Sequence, residues 1–143
     1  MIGNYIGVDV TGLAALGNGG GVGIQGTSNR LGGATSGERN IISGNDAGAV
    51  YIENSGTMSN TVSGNYIGTN ASGTIALGNR NNGVTIGNGA SYNLVGGDSP
   101  DRRNILSGNG GFGVFLYAAD TSSNVVTGNY VGTGPSGMLA VAN

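Results

Sequence analysis

Gly64-Asn65-Tyr66-Ile67-Gly68 decides how this chain is read, because it returns twice, once unchanged and once with valine for isoleucine. Gly3-Asn4-Tyr5-Ile6-Gly7 lies 61 residues before it, and Gly128-Asn129-Tyr130-Val131-Gly132 lies 64 residues after it. Each copy runs into a related tail: GLAALGN ending at Asn18, GTIALGN ending at Asn79 and GMLAVAN ending at Asn143. A three-residue deletion between Asn18 and Asn29 accounts for the shorter interval. Beyond it the offset stays at 64 and relates Asn29 to Asn93, Asn40 to Asn104 and Asn60 to Asn124. A repeat on this scale is the signature of a stacked architecture.

Each large repeat divides again. An Asn-x-aliphatic-x-Gly pattern starts at Asn29, Asn60, Asn93 and Asn124. A second pattern alternates two aliphatics around one residue: Val22/Ile24, Val50/Ile52, Val84/Ile86 and Val114/Leu116. The third mark is a small aliphatic run closing in Gly-Asn, at Asn18, Asn45, Asn79 and Asn109. The unit is therefore about 30 residues with three short apolar segments, and the chain holds about four and a half units. The segments alternate with period two over three to five residues, too short for helices, and are rich in β-branched residues. Glycine, asparagine and serine punctuate them.

Three short strands per turn, returning to the same place, describe an all-β solenoid: a right-handed parallel β-helix. The hand follows from the bias of parallel crossovers. Residues 1–143 are expected to form a single domain, a segment of a longer solenoid. Val22, Val50, Val84 and Val114 should stack as one interior column, and Leu31, Val62, Val95 and Val126 as another. The recurrent asparagines should occupy corners. Stacked amides can bond one another and the turn backbone, and asparagine tolerates positive φ.

Composition removes several function classes. The 143 residues include 32 glycines and two prolines; charged residues are 8% and the net charge is −2. There is no lysine, histidine or cysteine. A basic nucleic-acid footprint is missing, so no nucleic-acid partner is expected. Zinc, haem and iron–sulfur centres lose their usual ligands, so neither metal nor cofactor is expected. No apolar run approaches the roughly 20 residues that span a bilayer. The opening MIGNYIG shows no signal peptide.

With these motifs in view, the chain resembles the right-handed parallel β-helix repeat proteins of the pectin-lyase-like superfold. The carriers are N-x-φ-x-G, GNYIGT, ISGN and G-V-x-I at these spacings, and they cover essentially the whole chain. In particular it is similar to long bacterial surface or secreted proteins with many such coils. The resemblance implies an extracellular or cell-surface location. Its enzymes act on acidic polysaccharides with clustered aspartates, calcium-holding carboxylates plus an arginine base, or acidic residues with histidine. The same superfold also hosts adhesins and inert spacers, so fold alone assigns no activity.

This chain has seven carboxylates and no Asp-Asp pair. The close ones are Asp98 and Asp101, in the turn Gly97-Asp98-Ser99-Pro100-Asp101-Arg102-Arg103. Two carboxylates can act as acid and base, yet a charged Ser-Pro segment is also an ordinary exposed turn. Arg39 and Arg103 recur at matching positions, two coils and so about 10 Å apart. They suit an anionic sugar, or local pairing with Glu38 or Asp101. Tyr5, Tyr66 and Tyr130 recur too. Tyr66 and Tyr130 could stack on sugar rings, or pack against the Gly-rich loop that follows each. Gly21–Gly26 matches G-x-G-x-x-G, but no helix follows. Asn70-Ala71-Ser72 is a glycosylation sequon of little weight in so asparagine-rich a chain.

Because repeat residues account for nearly every unusual position, the leading expectation is a non-catalytic structural or interaction segment of an extracellular bacterial β-helix protein. The alternative is a polysaccharide-binding or polysaccharide-active module. The sequence also raises end-to-end self-association through open terminal coils, with a one-strand notch at each junction.

Overall fold

A computed structural model describes all 143 residues. It is a right-handed parallel β-helix of thirteen short strands. In the first coil these are β1 (Tyr5–Ile6), β2 (Val22–Ile24) and β3 (Arg30–Gly32). The second holds β4 (Ile41–Ile42), β5 (Val50–Glu53) and β6 (Thr61–Ser63). The third holds β7 (Tyr66–Ile67), β8 (Val84–Gly87) and β9 (Leu94–Gly96). The fourth holds β10 (Ile105–Leu106), β11 (Val114–Leu116) and β12 (Val125–Thr127), and β13 (Tyr130–Val131) begins a fifth. Sheet A is β1-β4-β7-β10-β13, sheet B is β2-β5-β8-β11 and sheet C is β3-β6-β9-β12, and every pairing between these strands is parallel.

The register confirms the expected columns. Val22, Val50, Val84 and Val114 are direct partners along sheet B, and Leu31, Val62, Val95 and Val126 along sheet C. Ile6, Ile42, Ile67, Leu106 and Val131 form the matching column of sheet A. In the middle coils these side chains are fully buried. Alternation on such short strands leaves one or two inward residues per strand. Each coil is therefore a thin apolar layer that stays dry only when covered above and below.

The corners hold the layers in register. Three asparagine ladders run the length of the molecule. One joins Asn4, Asn40, Asn65, Asn104 and Asn129. Another joins Asn18, Asn45, Asn79, Asn109 and Asn143. The third joins Asn29, Asn60, Asn93 and Asn124. At each step the upper Oδ1 accepts from the lower Nδ2, usually with the lower backbone N–H as well. Asn40 donates from both groups to Asn65 Oδ1, at 2.9 and 3.2 Å. The upper Nδ2 reaches back to a carbonyl, as Asn104 does to Val62 at 2.8 Å.

Measured on the first ladder, coil lengths alternate: 36, 25, 39 and 25 residues. Along the third ladder they read 31, 33 and 31. The evenness there arises because every interval contains one insertion, a hairpin or a 3₁₀ loop. Long coils carry two insertions. A hairpin leaves the end of β1, β7 and β13, closed by antiparallel bridges Val8–Ala15, Thr69–Ala76 and Thr133–Ala140. A loop with a short 3₁₀ turn, Ser36–Glu38 or Pro100–Arg102, precedes β4 and β10.

This corrects one sequence assignment. The aliphatic run before Gly-Asn is a sheet strand in the short coils, as β4 and β10. In coils one and three the runs at Leu16 and Leu77 are instead the return arms of hairpins, and sheet A continues through Tyr5–Ile6 and Tyr66–Ile67. Glycine is required where a strand meets a corner. Gly32 and Gly96 have φ of +84° and +100°, and a Cβ would run into the carbonyl of Ser63 or Thr127 in the next coil.

Two substitutions test this account in opposite directions. Asn93 Oδ1 accepts from the backbone and side chain of Asn60, and its Nδ2 donates to Thr57 O and Asn124 Oδ1. Asn93→Ala strands those buried groups and should cost about 3 kcal/mol in denaturant unfolding. Thr69 is wholly buried and its Oγ1 has no partner, while the first repeat carries Val8 at the equivalent place. Thr69→Val should therefore raise stability by about 1 kcal/mol. A lower melting point for it would mean that the hydroxyl is satisfied.

Candidate functional site

Sheet A is the one face flanked by both insertions. Hairpins rise from the rungs of β1, β7 and β13, and the 3₁₀ loops stand over β4 and β10. Its outward residues form the column Tyr5, Ile41, Tyr66, Ile105, Tyr130. Ile41, Tyr66 and Ile105 are nonetheless buried, gathered with Val8 into a second apolar cluster beneath the insertions. The hairpins lean on one another, with Ala71 N–H donating to Gly12 O at 2.9 Å. Each covers its own tyrosine. A Cβ at Gly73 would lie 2.9 Å from the Tyr66 ring, and Gly12 and Gly137 stand the same way to Tyr5 and Tyr130. The tyrosines thus pack on the Gly-rich loop that follows them, one of the two roles the sequence allowed.

The arginines meet these tyrosines from the coil below. The Arg39 guanidinium lies 4.1 Å from the Tyr66 ring centroid, and that of Arg103 lies 3.9 Å from Tyr130. Arg39 Nε donates to Gly64 O at 3.3 Å and Arg103 Nε to Gly128 O at 2.9 Å. Local pairing with Glu38 or Asp101 does not occur. Glu38 instead bonds Arg30, 2.9 Å away, in the only ion pair of the chain. The reason is geometric: Glu38 turns back under its own loop, where Ala34 N–H and the Thr35 N–H and hydroxyl also donate to it. The Thr35 hydroxyl first, then the Thr35 and Ala34 amides and the Arg30 charge, hold its carboxyl below the usual glutamate range against some desolvation. That contribution to loop order is present above the ordinary glutamate pKa and lost as pH falls through the lowered one.

Between the two 3₁₀ loops and the last hairpin lies a groove of about 340 Å³. Arg39, Tyr66, Asp101 and Arg103 line it, joined by Pro100 and Pro135. Four of the six sequence candidates thus come together. Tyr130 sits beside them under Arg103, whereas Asp98, exposed on the same loop as Asp101, does not line the groove. Chemically the groove offers two guanidinium groups held over tyrosine rings, with only their Nε atoms bonded, and one exposed carboxylate. This suits an anion presenting charges at intervals of two rungs, about 10 Å.

Other features escaped the sequence reading. Phe112, Phe115 and Tyr117 stack on sheet B with centroids 5.3 and 5.6 Å apart. Tyr117 lies across Gly87 and donates to Glu53 Oε1 at 2.8 Å, two coils down, and that bond raises its pKa. Phe115 and Tyr117 alternate along one strand, a readable signal, but only the register shows that Tyr117 passes over a glycine. The glycosylation sequon is closed: Asn70 is buried, and its Oδ1 accepts from Ser72, Thr74 and Ile75.

No family model matches this chain, and neither a curated protein nor a solved structure matches it.

The packing account separates two tyrosines of identical motif. Tyr66 is 9% exposed under Arg39 and its hairpin, while Tyr5 is 47% exposed. Tyr66→Ala should cost about 3–4 kcal/mol, and Tyr5→Ala less than about 1 kcal/mol. Equal losses in thermal unfolding would contradict the burial of the middle tyrosine.

Proposed function

We propose that this chain is a non-catalytic structural or interaction segment of an extracellular bacterial β-helix protein, with repeats of the pectin-lyase-like kind. The observation that supports it most directly is the use made of the repeated asparagines. Every one of the three ladders spends its amides on the neighbouring coil. Repetition of this sort builds a rod, and a rod displays its insertions at fixed spacing. The carboxylates take part in the same work: Glu38 and Asp9 tie down their own loops, and Glu53 anchors Tyr117. The extracellular location rests on the resemblance of the repeats to surface and secreted proteins.

One observation favours a second reading, a polysaccharide-binding face. The guanidinium groups of Arg39 and Arg103 are held by Tyr66 and Tyr130 and open onto the sheet A groove. Their two-rung separation fits acidic groups on an extended polymer.

A single assay tests both. The chain is incubated with polygalacturonate and with alginate, with and without calcium, and products and binding are followed together. No new reducing ends and no unsaturated products are expected. Turnover abolished by Asp98→Asn or Asp101→Asn would overturn the non-catalytic reading. Binding without turnover, weakened about tenfold by Arg103→Gln, would support the second reading.

A further inference from the structure

The two 3₁₀ loops have another side. Residues 33–39 and 97–103 are equivalent segments of the large repeat, and they differ in charge at three positions: Asp98 and Asp101 replace Ala34 and Gly37, and Arg102 replaces Glu38. The Glu38 and Arg102 side chains both fold back over the glycine that opens their loop. A Cβ at Gly33 would meet the Glu38 carboxylate, and one at Gly97 the Arg102 stem. Both therefore face sheet C, away from the arginine–tyrosine groove. The intervening short coil has no insertion here, so β6 lies at the bottom of a hollow of about 250 Å³.

Its lining is almost wholly polar. Ser59, Thr61 and Ser63 come from the second coil, Arg30 and Glu38 stand on one wall and Arg102 on another. Glu38 is already matched by Arg30 and by its own loop. Arg102 has neither an ion pair nor a side-chain hydrogen bond, so among the three charged groups that line the hollow its charge is the uncompensated one. Ser63 is 3% exposed, yet its hydroxyl has no hydrogen-bond partner. That is unlike the other buried serines, Ser43 and Ser107, whose hydroxyls donate to Thr69 O at 2.7 Å and Thr133 O at 2.9 Å. The Ser63 hydroxyl keeps its access to the hollow, and beside an unpaired guanidinium it offers a donor and an acceptor to a bound molecule.

We propose that this hollow binds a small hydroxycarboxylate anion. Arg102 takes the carboxylate through its forked N–H groups, and the hydroxyls of Ser63, Thr61 and Ser59 exchange hydrogen bonds with those of the ligand. The volume admits one molecule about the size of citrate, not a polymer chain. The site shares only Ala34 with the lining of the sheet A groove, and none of its polar side chains lines both.

Citrate is the probe, titrated into the intact chain at low ionic strength and followed by amide chemical shifts. Saturable shifts are expected at Thr61, Ser63, Gly97 and Arg102. Arg102→Gln should weaken binding at least tenfold, and Ser63→Ala several-fold, with both variants melting like the parent. Should Ser63→Ala unfold, Thr61→Val reads the same hydroxyl row from a half-exposed position. Glycerol, which has hydroxyls but no charge, should not bind, and acetate should bind more weakly than citrate. The proposal is overturned if citrate produces no saturable shifts, if Arg102→Gln binds it as tightly as the parent, or if the shifts gather around Arg39 and Arg103.

Discussion

The side-chain amide of a corner asparagine, bonded to the same amide one coil away, is the interaction on which this structure depends. A coil of about 30 residues must turn three times, and each turn presents backbone N–H and C=O groups toward the interior. Unpaired, each buried group would cost about 1–3 kcal/mol. Asparagine resolves this because one amide accepts from the coil below with Oδ1 and donates with Nδ2 to a carbonyl and to the next amide. The result is cooperative along the axis. Asn65 accepts from Asn40 at the corner below, and donates to Asn104 at the corner above and to Leu31 O in the first coil.

Once corners are held, the chain between them is free to vary. The first corner interval alternates between 36 or 39 residues and 25, yet the ladder passes through unbroken. Hairpins and 3₁₀ loops are tolerated because they leave and re-enter at fixed asparagines. Alternation of long and short coils then has a surface consequence. A loop on every second coil leaves gaps on the coils between. One gap opens onto sheet A beside the arginine–tyrosine pairs, and the other onto sheet C beside Arg102 and Ser63.

Low charge becomes intelligible in this frame. A solenoid of thin layers has little depth in which to bury ions, and glycine and asparagine meet the needs of the corners. The few charged groups therefore sit on insertions or outward faces, where they shape loops. Glu38 closes one loop, and Arg39 and Arg103 clamp tyrosines over an outer apolar cluster.

The residues by themselves determined the solenoid, its three strands per coil and the interior columns. Period-two alternation and a 64-residue offset are local facts, and parallel stacking maps equal positions onto each other. They also marked two of the three ladders, through Asn29 and Asn18 and their repeats. The first ladder stayed hidden because its members belong to two different motifs, GNYIG and RNI[IL]SGN, at unequal spacing. Only stacking shows that Asn40 and Asn65 are the same corner. Of the groove, the sequence supplied the residue types but not the partners. Which cation meets which ring depends on a step between coils, and that step is set by insertion lengths. The same holds for Ser63: its sequence neighbours read as an ordinary strand, and only the two loops that flank it leave its hydroxyl at the bottom of a hollow.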